Sequence, residues 1–489
     1  MKNELTENGF RRSLTLFDST ALVLGSMIGS GIFIVSADMS RNLGAPGWVL
    51  VAWLITGFLT VFAALSYGEL AAMMPKAGGQ YVYLREAYNP MLGFLYGWTL
   101  FTIIQTGTIA AVGMAFAKFM GVLVPWFSED RIFLDLGFIQ FNVVQLLAIA
   151  SILLLSWINS RGIRLGKIIQ NSFTYTKVLV LIGFIIIGLI FASNTEAISF
   201  NFDVFWDAQQ TDKSGIATPL SGFAIIAALG VAMVGSLFSA DAWNNITFTA
   251  GEVIRPKRNI PLSLFLGTFI VITLYILANV VYFYALPLRG NPEGITVVER
   301  GIQFATNDRL GTASMEGVFG AAAALIMAVF VVISTFGCNN GLILSGARVY
   351  YAMAGDGLFF RSVGKLNNKA VPSKALWIQG LWASMLCLSG TYSQLLDYVV
   401  FAVLIFYVLT ILGIFILRKT RPDAERPYKA FGYPVIPALY ILIAVFIMID
   451  LLIYKPLFTW PGLIIVVIGI PVYYIWKKVH RSKFEVPGP

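Results

Sequence analysis

Charge is what this sequence has least of. Only 12% of its 489 residues are Asp, Glu, Lys or Arg, about half the share in a soluble globular domain, and that excludes an ordinary soluble enzyme. Histidine occurs once, as His480 near the C-terminal end, so a histidine proton relay is excluded. No Cys/His/acid cluster has metal-ligand spacing, and neither metal nor cofactor is expected. The two cysteines, Cys338 and Cys387, both fall inside apolar runs, which argues against a disulfide framework and for buried thiols. The formal charge of +9 is spread in short basic clusters between apolar runs, unlike the continuous basic face that nucleic acid requires. No nucleic-acid partner is expected.

What is abundant is hydrophobic sequence, 58% of the chain. A bilayer core takes roughly 20 helical residues per crossing, and that length predicts twelve spans in an all-α polytopic membrane protein. They cover 17–41, 46–74, 91–124, 140–158, 168–192, 218–249, 261–286, 316–352, 374–390, 394–417, 433–454 and 459–477. The polar N-terminus lacks a small-residue cleavage motif, so the first span is expected to be retained. Arg161/Arg164/Lys167, Arg255/Lys257/Arg258, Arg361/Lys365/Lys369, Arg418/Lys419/Arg421 and Lys477/Lys478/Arg481 then fall on one side, which the positive-inside rule makes cytoplasmic. The tails, 1–16 and 478–489, lie on that side. The opposite loops are acidic, with SEDRIFLD at 128–135 and aspartates at 203, 207 and 212. Topology alone accounts for the basic clusters, and no dedicated lipid-headgroup role is read from them.

Two spans are built to break. GSMIGSGIF, residues 25–33, places Gly25, Gly29 and Gly31 with Ser26 and Ser30 inside a hydrocarbon-length segment. GSLFSADAWNNITFTAGE, residues 235–252, places Asp241 at membrane depth in the sixth, where an acid normally faces a cavity or pathway. Spans one and six correspond if the first ten helices form two halves of five, 17–192 and 218–417, with 433–477 trailing. Paired interruptions of that kind point to a midplane substrate site. Amide N–H groups around Gly29, Ser30 and Gly31 can hold a carboxylate at the start of a half-helix. Unwound carbonyls near Ile28 and across Phe238, Ser239 and Ala240 can accept from an ammonium. Such a site recognises both charged ends of an α-amino acid with backbone atoms. Phe238 either gates the ligand or is an ordinary core aromatic. Asp241 either fixes the unwound turn or selects a polar or cationic substrate.

Lys177 lies within the fifth span. It either reaches the inner interface as a helix-end lysine, or stays in the bundle on carbonyls and hydroxyls. In the second case it replaces a sodium ion and ties span one to span eight near Ser334 and Thr335. Glu69 and Glu252, near the inner ends of spans two and six, are expected to pair with loop residues such as Lys76 or Arg258.

Taken together, GSMIGSGIF, PKAGGQYVYLREAY (75–88), NSRGIRLGKIIQNSFTYTK (159–177), FSADAW with GEVIRPKRNIP (238–261) and STFGCNNGLILSGARVYYAMAGDG (334–357) resemble the amino acid–polyamine–organocation transporters. Within them the likeness is to bacterial members of the L-type amino acid transporter group. The resemblance implies a five-plus-five inverted repeat, of the kind first seen in a sodium-coupled leucine transporter, with discontinuous helices one and six and two trailing helices. It implies that Gly29, Ser30 and Gly31 cradle the carboxylate, that Phe238 gates and that Lys177 stands in for sodium. Unlike animal light-chain relatives, the loop VPWFSEDRIFLDLGF has no cysteine, so no disulfide-linked heavy subunit is expected. Ala242 follows Asp241 where some of those relatives are glycine-rich, which trims the pocket. The expectation is a monomeric, sodium-independent carrier of small or medium neutral amino acids in a bacterial inner membrane, with antiport favoured. The alternatives are proton symport and transport of cationic amino acids or polyamines. A channel lacks a filter-like segment, and an enzyme lacks a nucleophile–base–orienter set.

Overall fold

The computed structural model describes residues 12–479 except 130, 136–139, 193, 390 and 391. Most of the N-terminal tail, the C-terminal residues with His480, and part of the junction between the ninth and tenth expected spans lie outside the described residues.

The helices are α1 (Leu16–Met27), α2 (Val35–Leu43), α3 (Pro46–Met73), α4 (Gln80–Ala87), α5 (Pro90–Thr99), α6 (Gln105–Leu123), α7 (Val143–Ser160), α8 (Ile163–Phe191), α9 (Thr195–Asp203) and α10 (Phe223–Ser239). They continue as α11 (Asn245–Phe248), α12 (Pro256–Ala285), α13 (Val297–Arg300), α14 (Leu310–Phe319), α15 (Ala321–Gly355), α16 (Ser373–Cys387), α17 (Tyr392–Thr420), α18 (Val435–Tyr454) and α19 (Pro456–Val479). Among the described residues ten helical segments are long and apolar enough to cross a membrane. Two further helices at expected spans are shorter: α10 has 17 residues and α16 has 15. The chain is an all-α multi-pass membrane protein, and its only strands among the described residues form two short antiparallel hairpins in connections. These are β1 (Ile132–Asp135) with β2 (Gln140–Asn142), and β3 (Gln209–Thr211) with β4 (Ala217–Pro219). Asp212 Oδ1 closes the second hairpin by accepting from the Ser214 and Ile216 amides.

Local chemistry sets the boundaries. Thr15 and Asp18 form a reciprocal capping box at the start of α1, satisfying amides that have no intrahelical partner. Pro46 opens α3, where a missing N–H costs nothing. A five-residue π stretch, Leu100–Ile104, joins α5 to α6 without a break. The widened turn frees the Thr102 carbonyl to accept from Trp382 Nε1 at 3.0 Å. Such bulges recur at functional sites, and this one lies beside the cavity described below. At the centre, α1 packs on α8, α12 and α15, and α12 lies along α3.

Candidate functional site

The first break begins where α1 stops at Met27. Ile28 is extended (φ −73°, ψ 95°), Gly31–Phe33 form a single 3₁₀ turn, and α2 resumes at Val35. Every carbonyl released inside a membrane needs a donor, since lipid supplies none. Three neighbouring helices supply them. Lys177 of α8 donates to the carbonyls of Gly25 and Ile28, the latter at 2.7 Å. From α12, Tyr275 donates to Met27 O at 2.9 Å and Tyr282 to Ile32 O at 3.0 Å. From α15, Cys338 Sγ lies 3.1 Å from Ser26 O, and Ser334 Oγ 3.4 Å from both Ile28 O and Gly29 O.

Lys177 is buried, 2% exposed, so it does not snorkel to an interface. Its ammonium occupies a carbonyl-lined position between α1 and α15. Of the two α15 residues expected there, only Ser334 reaches α1; Thr335 turns its hydroxyl back to Val331 O at 2.8 Å. Ile28 O, expected to receive a substrate ammonium, already faces Lys177 and Ser334 in this arrangement.

The second break follows Ser239. Asp241 N–H reaches back to Phe238 O at 3.2 Å, and Ala242 adopts φ 65°. A left-handed non-glycine residue costs about 1–2 kcal/mol, so this turn is held by its surroundings. Tyr407 of α17 donates to Asp241 Oδ1 at 2.5 Å. One residue beyond Trp243, Asn244 donates to Gln80 Oε1 at 2.9 Å, and Gln80 Nε2 donates to Thr410 Oγ1 at 3.1 Å. Trp243 is buried against Tyr67 and Tyr407, with ring centroids 4.8 and 5.2 Å away, and it serves as packing.

The two breaks touch. A Cβ on Gly31 would stand 2.1 Å from Ser239 Oγ and 2.9 Å from Ser239 Cα, so only glycine permits this approach. Phe238 is buried, 7% exposed, and Ser30, Ser239 and Ala240 are buried around the contact. Two small cavities, of about 10 and 20 Å³, flank Asp241. Gln80, Gln105 and Asn244 line the first, and Thr60 and Tyr440 help line the second. Spaces of that size hold about one water, so the centre is closed.

Ion pairs close the end that carries residues 13–15. Glu252 accepts from Arg348 Nε at 2.5 Å, with both side chains at most 5% exposed. Glu69 receives two bonds from Arg418 at 3.0 and 2.6 Å, stands 3.4 Å from Arg426, and accepts the Ala430 amide at 2.7 Å. These partners replace the expected Lys76 and Arg258, because both acids point into the bundle, where only arginines on facing segments reach them. On α4, burial works against the charge of Glu86, but Arg85 and Arg421 outweigh it and hold the carboxyl below its usual range. At the opposite end Arg41 pairs with Asp308 at 2.7 Å and donates to Gln303 O at 2.6 Å.

Sequence reasoning overlooked the α12 stripe. Tyr275, Asn279 and Tyr282 share one helical face by i, i+4, i+7 spacing, and Asn279 accepts from Ser36 of α2 at 2.6 Å. That spacing was visible as the signal. Tyr407 carried no such signal, since its partner lies 166 positions away.

A family model described as amino acid permease matches residues 14–473. The human b(0,+)-type amino acid transporter 1 is 30% identical over 479 residues, covering 95% of this chain and 88% of that protein. The human large neutral amino acids transporter small subunit 2 is 28% identical over 481 residues, covering 97% and 82%. Mouse b(0,+)-type amino acid transporter 1 is 27% identical over 476 residues, covering 96% and 89%.

Proposed function

The chain belongs to the amino acid permease family and is a secondary amino acid transporter, not an enzyme; on that premise we propose that it carries neutral L-amino acids by sodium-independent antiport. The observation that carries this reading is the meeting of Gly31 with Ser239, which brings two interrupted helices together at one point. The substrate carboxylate is held by the amides around Gly29, Ser30 and Gly31, helped by the positive end of the following half-helix. Its ammonium is held by carbonyls after Phe238, and Phe238 covers it.

Sodium independence rests on Lys177. Its ammonium stands on the Gly25 and Ile28 carbonyls, with Ser334 near Ile28 O and Gly29 O, in the role a bound cation would fill. Twelve spans complete the topology, with α10–α11 and α16 counted as the short ones. They form two halves of five and a trailing pair, with both tails cytoplasmic in a plasma membrane. One chain is the transporting unit. Both cysteines are buried and unbridged, which supports the lack of a covalently attached heavy subunit.

Asp241 favours a second reading, transport of cationic amino acids, because its carboxylate, held by Tyr407 and the Ala242 amide, borders both cavities. A competition panel separates the two. Labelled alanine uptake into proteoliposomes is measured against excess unlabelled serine, leucine, arginine or putrescine. Competition by serine or leucine, with arginine and putrescine inert, is expected. Competition by arginine or putrescine alone transfers the assignment to the cationic reading.

A further inference from the structure

Outside the central site, a crevice lies against lipid at the end that carries Leu14, whose backbone pairs with Val253 just before α12. It holds about 410 Å³ between α3, α12 and the chain after α17. Leu65, Leu262, Phe265 and Tyr428 line it together with Lys257 and Arg258. The apolar part is oriented into the bilayer: Phe265 lies seven residues beyond Arg258, about 10 Å deeper along a helix.

The charges around it do not balance. Lys257 is paired with Glu425 at 2.8 and 3.0 Å. Glu69, the nearby buried acid, is consumed by Arg418, Arg426 and the Ala430 amide. Arg255 and Arg258 are exposed, and among the described residues neither has an ion-pair partner. Positive-inside topology explains basic residues at this level, but it does not explain a crevice whose apolar wall runs inward directly beneath them.

We propose that this crevice binds an anionic phospholipid, with its phosphate on Arg258 and an acyl chain along Leu262 and Phe265. Basic recesses between membrane helices recognise anionic headgroups in this way, and the apolar wall distinguishes a lipid from a free phosphate. A bound lipid contacts α3, α12 and the Pro427–Tyr428 segment together, and so links the bundle to the loop that also clasps Glu69.

The test is lipid binding to the purified full-length protein by native mass spectrometry, titrating dioleoyl phosphatidylglycerol against dioleoyl phosphatidylcholine. Wild type is expected to retain one phosphatidylglycerol in preference. Arg258→Gln should weaken that retention about five-fold, the size of one surface charge, and Leu262→Trp should weaken it by filling the crevice. Neither residue belongs to the substrate site, so alanine uptake verifies that the variants fold. Equal retention of the two lipids by wild type, or unchanged phosphatidylglycerol retention in Arg258→Gln, overturns the proposal. Displacement of the lipid by millimolar inorganic phosphate also overturns it, since the site would then read phosphate alone.

Discussion

The Lys177 ammonium and the Ile28 carbonyl are 149 positions apart in sequence and 2.7 Å apart in the fold. The bond joins α8 to the point where the first membrane helix ends. Lys177→Met removes a charge and two charge-assisted hydrogen bonds, each worth about 1.5–3 kcal/mol, and leaves buried carbonyls without their donor. Exchange in proteoliposomes is expected to fall at least ten-fold, with a lower thermal midpoint. Wild-type exchange in the variant would show that the lysine holds nothing essential.

Gly31 and Gly29 should respond differently to the same methyl group. A Cβ on Gly31 collides with the side chain and backbone of Ser239, whereas one on Gly29 presses on the Cys338 side chain, with Sγ at 3.0 Å, and makes an ordinary contact with Met27 O at 3.9 Å. Gly31→Ala is expected to abolish uptake, and Gly29→Ala to reduce it by less than ten-fold. Uptake assays normalised to folded protein by size-exclusion chromatography give the order, and the reverse order would contradict the close approach of the breaks.

Glu252 and Arg348 form a buried pair at one end of the bundle. Breaking such a pair from one side costs about 3–5 kcal/mol, because the remaining charge is stranded, while replacing both partners with apolar residues is often neutral. Glu252→Gln should therefore lower the thermal midpoint more than the double variant Glu252→Leu/Arg348→Met. A double variant as unstable as the single one would mean that packing, not charge, is what was lost.

Tyr407→Phe deletes the donor to Asp241 and leaves its carboxylate facing the cavities. Arginine, inert against wild type, is expected to compete with labelled alanine in the variant. No change in arginine competition would show that Asp241 does not face the substrate.

The interruptions were legible because permissive residues and an acid are conspicuous inside apolar runs, and both breaks fall inside the quoted motifs at Ile28 and Ala242. Lys177 stood out for the same reason, and carbonyl partners with a tie to span one were expected of it, but not the particular carbonyls of Gly25 and Ile28. Partnership across the bundle was hidden. Tyr407 is one of 20 tyrosines and gains its role only when α17 lies beside the second break. Glu69 was expected to meet a loop lysine nearby in sequence, but the fold delivers Arg418 from 349 positions away. Thr335 differs from Ser334 by about 100° around α15, enough to turn its hydroxyl into its own helix.

The most direct measurement is uptake of labelled alanine into proteoliposomes holding wild type or Gly31→Ala. Unlabelled alanine is present or absent inside, and sodium or choline is present outside. Wild-type uptake is expected to need internal alanine and to be the same in choline as in sodium, and Gly31→Ala is expected to abolish it. Uptake that requires sodium, runs into empty vesicles, or survives in Gly31→Ala would contradict sodium-independent antiport at the contact of the two breaks.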